Sequence, residues 1–250
     1  MKLKSVGIAL CTFLVVAAIW EISAKLNLYN TMLLPPPSES IRALINLWRN
    51  GMLASDLSDS MTRYLPGFLI GSLVGIIAGV VSGIIKNVGY VINPLFHYLR
   101  SIPPVALIPF VLVLFGINDV GKVSLVAWAC IFPVWLSTQA GISQVPREYL
   151  WAAKVFKING IRCVINVWLP CSLPHIVSGL RIAVSTGLFA LVAAEMFAAS
   201  SGIGFRIVYS YQLFQTDKMI AMILFLGVIA LLTDLLLSSV GKIIARWETA

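Results

Sequence analysis

Long apolar runs, parted by short charged joints, dominate this chain. They fall at 6–22, 64–85, 102–115, 123–142, 173–197 and 219–243. An α-helix needs roughly 20 apolar residues to cross a hydrocarbon core about 30 Å thick, and most of the runs approach that length. In such a core every backbone N–H and C=O must be satisfied within its own segment, which favours helices. With 59% hydrophobic and 11% charged residues, the chain carries more apolar surface than one soluble core of 250 residues hides. The expected fold is therefore all-α and polytopic, with about six transmembrane helices in one membrane unit over residues 1–250. The run at 102–115 is short, and Pro103, Pro104 and Pro109 predict a kink within it.

A net charge of +8 suggests nucleic acid in a soluble protein, but here its distribution reads as loop orientation. With the N-terminus cytoplasmic, the inside receives Lys2, Lys4, Lys86, Arg100, Arg147, Lys154, Lys157, Arg162, Arg181, Lys242 and Arg246. The outside receives Lys25, Arg42, Arg49, Arg63, Lys122, Arg206 and Lys218, offset by Glu21, Glu39, Asp56, Asp59, Asp119 and Asp217. Both termini are thus expected in the cytoplasm, with no nucleic-acid partner. Lys2 and Lys4 followed by an apolar run also fit a signal peptide, but Glu21 and Ile22 spoil a small-residue cleavage site, so an uncleaved first span is expected.

Between the first two runs, "LLPPPSES" predicts an extended entry into an amphipathic helix over 39–48. Ile41, Leu44, Ile45 and Trp48 share one face of it, which rests either on the membrane surface or on the protein. In the second run Gly67, Gly71, Gly75, Gly79 and Gly83 recur every four residues and make a nearly flat helical face. That face serves static packing or sliding between helices.

Residues that carry chemistry are sparse. Gly116 to Lys122 imitates a phosphate-binding loop, yet Val123 stands where the magnesium-binding hydroxyl belongs and no strand precedes it, so an external turn is expected. His97 and His175 lack ligand-spaced neighbours, and the four cysteines, Cys11, Cys130, Cys163 and Cys171, read as small hydrophobes. No cofactor, metal site or catalytic set is expected. Glu195 and Asp234 lie within apolar runs, where an ionisable group is costly without water or a partner. They are candidates to line a pathway or gate, or to make structural hydrogen bonds. Arg181 can snorkel to the interface.

The remaining break in the apolar pattern is "YLWAAKVFKINGIRCVINVWLP", residues 149–170. Pro146 and Glu148 suit a helix start, Lys154 and Lys157 suit its end, and Asn159-Gly160 is expected to stop it. Tyr149, Ala152, Ala153 and Phe156 share one face, shaped either for lipid headgroups or for the groove of a cytoplasmic partner. Leu169-Pro170 leads into the next span.

Here the chain resembles the permease subunits of ABC importers, specifically the nitrate, sulfonate, taurine and bicarbonate group. Their cytoplasmic motif runs E-A-A, three residues, Gly, nine residues, Ile, one residue, Leu-Pro. Aligned on Leu169-Pro170, Val167 stands at the Ile, Lys157 at the Gly and Trp151-Ala152-Ala153 at E-A-A. Trp151 and Lys157 depart from the motif in the charged contact and in the tight turn. The resemblance extends through "LLPPPSES", "RSIPPVALIPFVLVLFGI", "VPREYLWAA", "LPCSLPHIVSGLRIA" and "LVAAEMFAASSGIGF".

It implies a non-enzymatic half-channel in a bacterial inner membrane, importing a small oxyanion such as nitrate, bicarbonate or an organic sulfonate like taurine. It also implies two ATP-binding subunits held through a coupling loop at about 145–170, a second and identical permease subunit, and an external solute-binding protein. Related permeases import a pyrimidine vitamin precursor. Two competing classes are an ion-coupled secondary transporter using Glu195 and Asp234, which would show an internal repeat, and a membrane-embedded enzyme, for which no acid pair or nucleophile is apparent.

Overall fold

The computed structural model describes residues 3–244; Lys2 and Arg246, counted above on the cytoplasmic side, lie outside the described residues. All regular structure among the described residues is helical: α1 (Leu3–Lys25), α2 (Pro37–Arg49), α3 (Met52–Ile84), α4 (Lys86–Leu99), α5 (Ile108–Phe115), α6 (Asp119–Ser143), α7 (Arg147–Val155), α8 (Ile161–Cys163), α9 (Leu169–Ala198), α10 (Ile203–Gln212) and α11 (Thr216–Ile244). A 3₁₀ turn at Pro104–Leu107 precedes α5, and a widened π turn at Val164–Trp168 joins α8 to α9.

Among the described residues, four helical segments are long and apolar enough to cross a membrane: Met52–Ile84, Asp119–Ser143, Ile161–Ala198 and Thr216–Ser239. A fifth span arises if α4 and the Pro104–Phe115 segment count as one, although they meet at 84°. The run at 102–115 is therefore not one kinked helix. Pro103 and Pro104 cannot donate to a helical ladder, so the chain turns sharply and helix α4, absent from the sequence-based span assignment, takes up the residues before them. The first apolar run corresponds to the 23-residue α1, whose apolar side chains, Phe13, Leu14 and Ile19 among them, are exposed.

Helix α6 is the central rod, packed between α3 and α9. Its contact with α3 follows the glycine stripe. Cβ atoms added at Gly67, Gly75 and Gly79 would lie 2.6 Å from Val126 Cβ, the Ile131 carbonyl oxygen and Thr138 Cβ, and one at Gly83 would lie 2.7 Å from Ile142 Cγ2. Gly71 meets the Ala127 backbone in the same way. The stripe thus lies directly against the α6 backbone, and Trp135 Nε1 closes the seam by donating to Ser82 Oγ at 3.2 Å. On the other side of α6, Gly141 and Gly179 admit His175 and Ser137 equally closely, each 2.7 Å from a built Cβ.

Helix α3 starts at Met52, twelve residues before the predicted span, because the polar residues Asp56, Ser60 and Arg63 of its first turns are buried by pairing rather than by apolarity. Helix α2 buries Ser40, Ala43 and Leu47, while Ile41, Ile45 and Trp48 of the predicted apolar face point outward; Leu44 alone of that face packs inward. The turn that imitates a phosphate loop caps α6: Asn118 Oδ1 accepts from Gly121 N at 3.1 Å, and Lys122 Nζ bonds Asp119 Oδ1 at 3.0 Å. Its lysine is already engaged.

Candidate functional site

The short helix α7 stands between α6 and the α8–α9 rod, with Ala153 its one buried residue. Proline at Pro146 takes φ −60° and ψ 138°, so it caps the helix from outside and the first turn opens on Arg147 with Glu148 near the positive end. The helix does not run to Asn159-Gly160. It ends at Val155, four residues before Asn159, in a Schellman turn, with Ile158 N donating to Ala153 O at 2.8 Å and Lys157 N to Lys154 O at 3.0 Å. Lys157 holds the left-handed position, φ 57°, where the importer motif has glycine. The tight turn survives its loss of glycine, at a conformational cost of about 1 kcal/mol.

Grooves flank α7 on both sides. A cavity of about 740 Å³ is bounded by Tyr149, Ala152, Ala153 and Phe156 on one wall and by Pro170, Cys171 and His175 of α9 on the other. A second, of about 650 Å³, takes Arg147, Trp151 and Lys154 with Trp168. The predicted coupling residues therefore divide: Tyr149, Ala152, Ala153, Phe156 and Pro170 surround one groove, Trp151 lines the other, and Lys157 and Leu169 stand at the turn and at the entry to α9. Phe156 is 77% exposed and Trp151 61% exposed, so both aromatic faces are free in the isolated chain. Sequence reasoning missed Gly141 and His175, which complete the first groove from the ends of α6 and α9.

Glu195 lies far from these grooves in sequence and is wholly buried. Its carboxylate accepts from Ser60 Oγ at 2.8 Å, Arg63 Nη1 at 3.0 Å and Gly204 N at 2.9 Å. Arg63 continues the network to Asp119 Oδ1 at 2.7 Å and to the Ser201 carbonyl at 2.8 Å. Beside it Asp56 accepts from Arg206 Nε at 2.6 Å and Gly202 N at 3.2 Å. Residues Asp56, Arg63, Asp119 and Arg206, expected as offsetting exterior charges, are joined here with Glu195 to pin the α9–α10 loop against α3. Asp234 instead forms a two-pronged pair with Arg181, Nε to Oδ1 and Nη2 to Oδ2 both at 2.8 Å. Neither acid presents a free carboxylate, and Arg181 has a partner in addition to any interface it reaches.

Residues 71–247 match the family described as the binding-protein-dependent transport system inner membrane component. The chain belongs to that family. This permease is 33% identical to SsuC of Escherichia coli (strain K12), a permease assigned to aliphatic sulfonates, over 94% of this chain and 89% of that one. It is 30% identical to the taurine transport system permease protein TauC of the same organism, over 98% and 91%. Identity to the bicarbonate transport system permease protein CmpB of Synechococcus elongatus is 32%, over 70% and 63%. Among solved structures, the inward-facing MetNI methionine ABC transporter matches with a TM-score of 0.67 at 16% identity, covering 78% of this chain and 97% of the other. The permease is thus a multi-pass inner-membrane subunit of an ABC importer, and the helical arrangement is that of such subunits.

Proposed function

We propose that this permease forms half of the import path for a small oxyanion, a sulfonate, bicarbonate or nitrate, and that α7 is the lever on which an ATP-hydrolysing subunit pulls. The chain acts as one membrane unit over residues 1–250, with the coupling element at about 145–170. It pairs with a second, identical permease, two ATPase subunits grip the two α7 helices, and an external solute-binding protein delivers the cargo. The substrate class follows the sulfonate, taurine and bicarbonate permeases that the chain resembles.

The observation that carries this reading is the mechanical continuity of α7. Its Schellman turn closes onto Ile158, and within a few residues the chain enters Ile161–Ala198, one continuous helical segment long and apolar enough to cross a membrane. A force on Tyr149 or Phe156 therefore reaches α9 through a short, hydrogen-bonded joint. Inserting two glycines after Phe156 lengthens and loosens that joint alone. Membrane insertion is expected to stay intact while uptake by the reconstituted importer is abolished. Undiminished uptake refutes the lever.

A further inference from the structure

A cavity of about 560 Å³ opens at the 84° break between α4 and the Pro104 turn. Arg100 and Pro104 bound it on one side, Trp128, Phe132 and Ser137 of α6 and Thr186 of α9 on the others. Three features set it apart from a packing gap.

The first is depth. Phe96 stacks edge-on against Phe132 and Trp135, with centroids 5.8 and 5.1 Å away, so α4 climbs along α6 and brings Arg100 level with the middle of the Asp119–Ser143 span. The sequence placed Arg100 in a cytoplasmic loop; the structure places it beside mid-span residues. A guanidinium at that depth is expensive unless it meets water, a partner or an anion.

The second is the missing partner. Among the described residues no carboxylate lies within 4.0 Å of the Arg100 side chain, whereas Arg63, Arg181 and Arg206 are each paired. Arg100 is the one ionisable residue on the cavity wall, and it is exposed. Ser137 adds a hydroxyl with no hydrogen bond to any described residue.

The third is the backbone. Ile102 and Pro103 lie outside regular helix, and irregular backbone at membrane depth persists where it is buried in protein or lines a water-filled space. Broken helices of this kind bound substrate paths in other transporters.

We infer that this cavity is a waypoint for the transported anion inside the membrane, with Arg100 supplying the positive charge that selects it and Ser137 a hydroxyl to bond its oxygens. The inference rests on the import reading and names the residue that gives it sign selectivity. An oxyanion entering the cavity replaces lost hydration with a charge-assisted hydrogen bond from the guanidinium. The apolar walls formed by Phe132 and Trp128 keep the local dielectric low, which strengthens that contact and repels cations.

The test measures charge selectivity at the cavity directly. With the four native cysteines replaced, Ser137→Cys is introduced and the importer is kept in membrane vesicles. Its labelling rates by the anionic sulfonatoethyl and the cationic trimethylammonioethyl methanethiosulfonates are each divided by the rate with free mercaptoethanol. The anionic reagent is expected to be preferred by about tenfold. Arg100→Gln should erase the preference and Arg100→Lys should retain it, with uptake following the same order while ATPase activity persists. Equal labelling of the parent, a preference that survives Arg100→Gln, or a thiol closed to both reagents each overturns the waypoint. Because the rates need no ATP and no identified cargo, a failed lever and a failed waypoint give separate signatures.

Discussion

Glu195 and Asp234 sit in equally apolar surroundings of the chain, yet the fold treats them in opposite ways. Glu195 is sealed at 0% side-chain exposure with a hydroxyl, a guanidinium and a backbone N–H around it, while Asp234 keeps 35% of its side chain open and relies on one arginine. The difference lies in what each acid holds. Glu195 ties α9 to α3 and α10 and fixes the loop between α9 and α10; Asp234 joins only α9 to α11. A buried charge is tolerated where several elements share its hydrogen bonds, and an isolated pair suffices where the groups remain partly open.

The contrast can be broken by substitution. Glu195→Ala should be the most damaging change, since Arg63 and Ser60 lose their buried acceptor; a loss of about 3–5 kcal/mol is expected, read as failure to accumulate in the membrane or a steep fall in the thermal midpoint of the detergent-purified importer. Gly202→Ala comes next. Its φ of 116° disfavours any side chain, and a Cβ there collides with the Glu195 carboxylate, so about 2 kcal/mol should be lost in the same denaturation assay, with protease sensitivity rising first near the α9–α10 loop. Asp234→Asn should cost least, about 1 kcal/mol or less, because the amide still accepts from Arg181 and the site is not sealed. If Asp234→Asn instead matches Glu195→Ala, the pair with Arg181 bears load across α9 and α11 and the distinction between the two acids fails.

Much of the architecture was legible in the chain because transmembrane periodicity and glycine spacing are local signals. The stripe from Gly67 to Gly83 announced a flat face, and only the structure showed α6 to be what lies against it. Helix α4 was hidden because its residues are split by Pro94 and followed by Pro103-Pro104, which obscured an ordinary span pattern. Arg63, Asp56 and Arg206 carried no local hint of their depth, since their burial depends on residues more than a hundred positions away. The short helix at Arg147–Val155 was legible through spacing. Its turn was misplaced because a lysine in the left-handed region gives no signal at the level of residue type. The division of Trp151 from Tyr149 and Phe156 between two grooves depends on how α8 and α9 flank the helix, which spacing alone does not report.

The close seams on both sides of α6 have a kinematic consequence. Side chains such as Thr138, Ile142 and His175 sit in notches that only glycine provides, so an axial slip of α3 or α9 past α6 would drive methyl groups into backbone at several levels at once. Any pivot of the bundle would therefore carry the three rods together as a plank. Over the roughly 50 Å length of a 33-residue helix such as α3, even a few degrees of pivot at one end displaces the other by several ångströms, so that an entrance can shut as an exit opens with no rearrangement inside the plank itself.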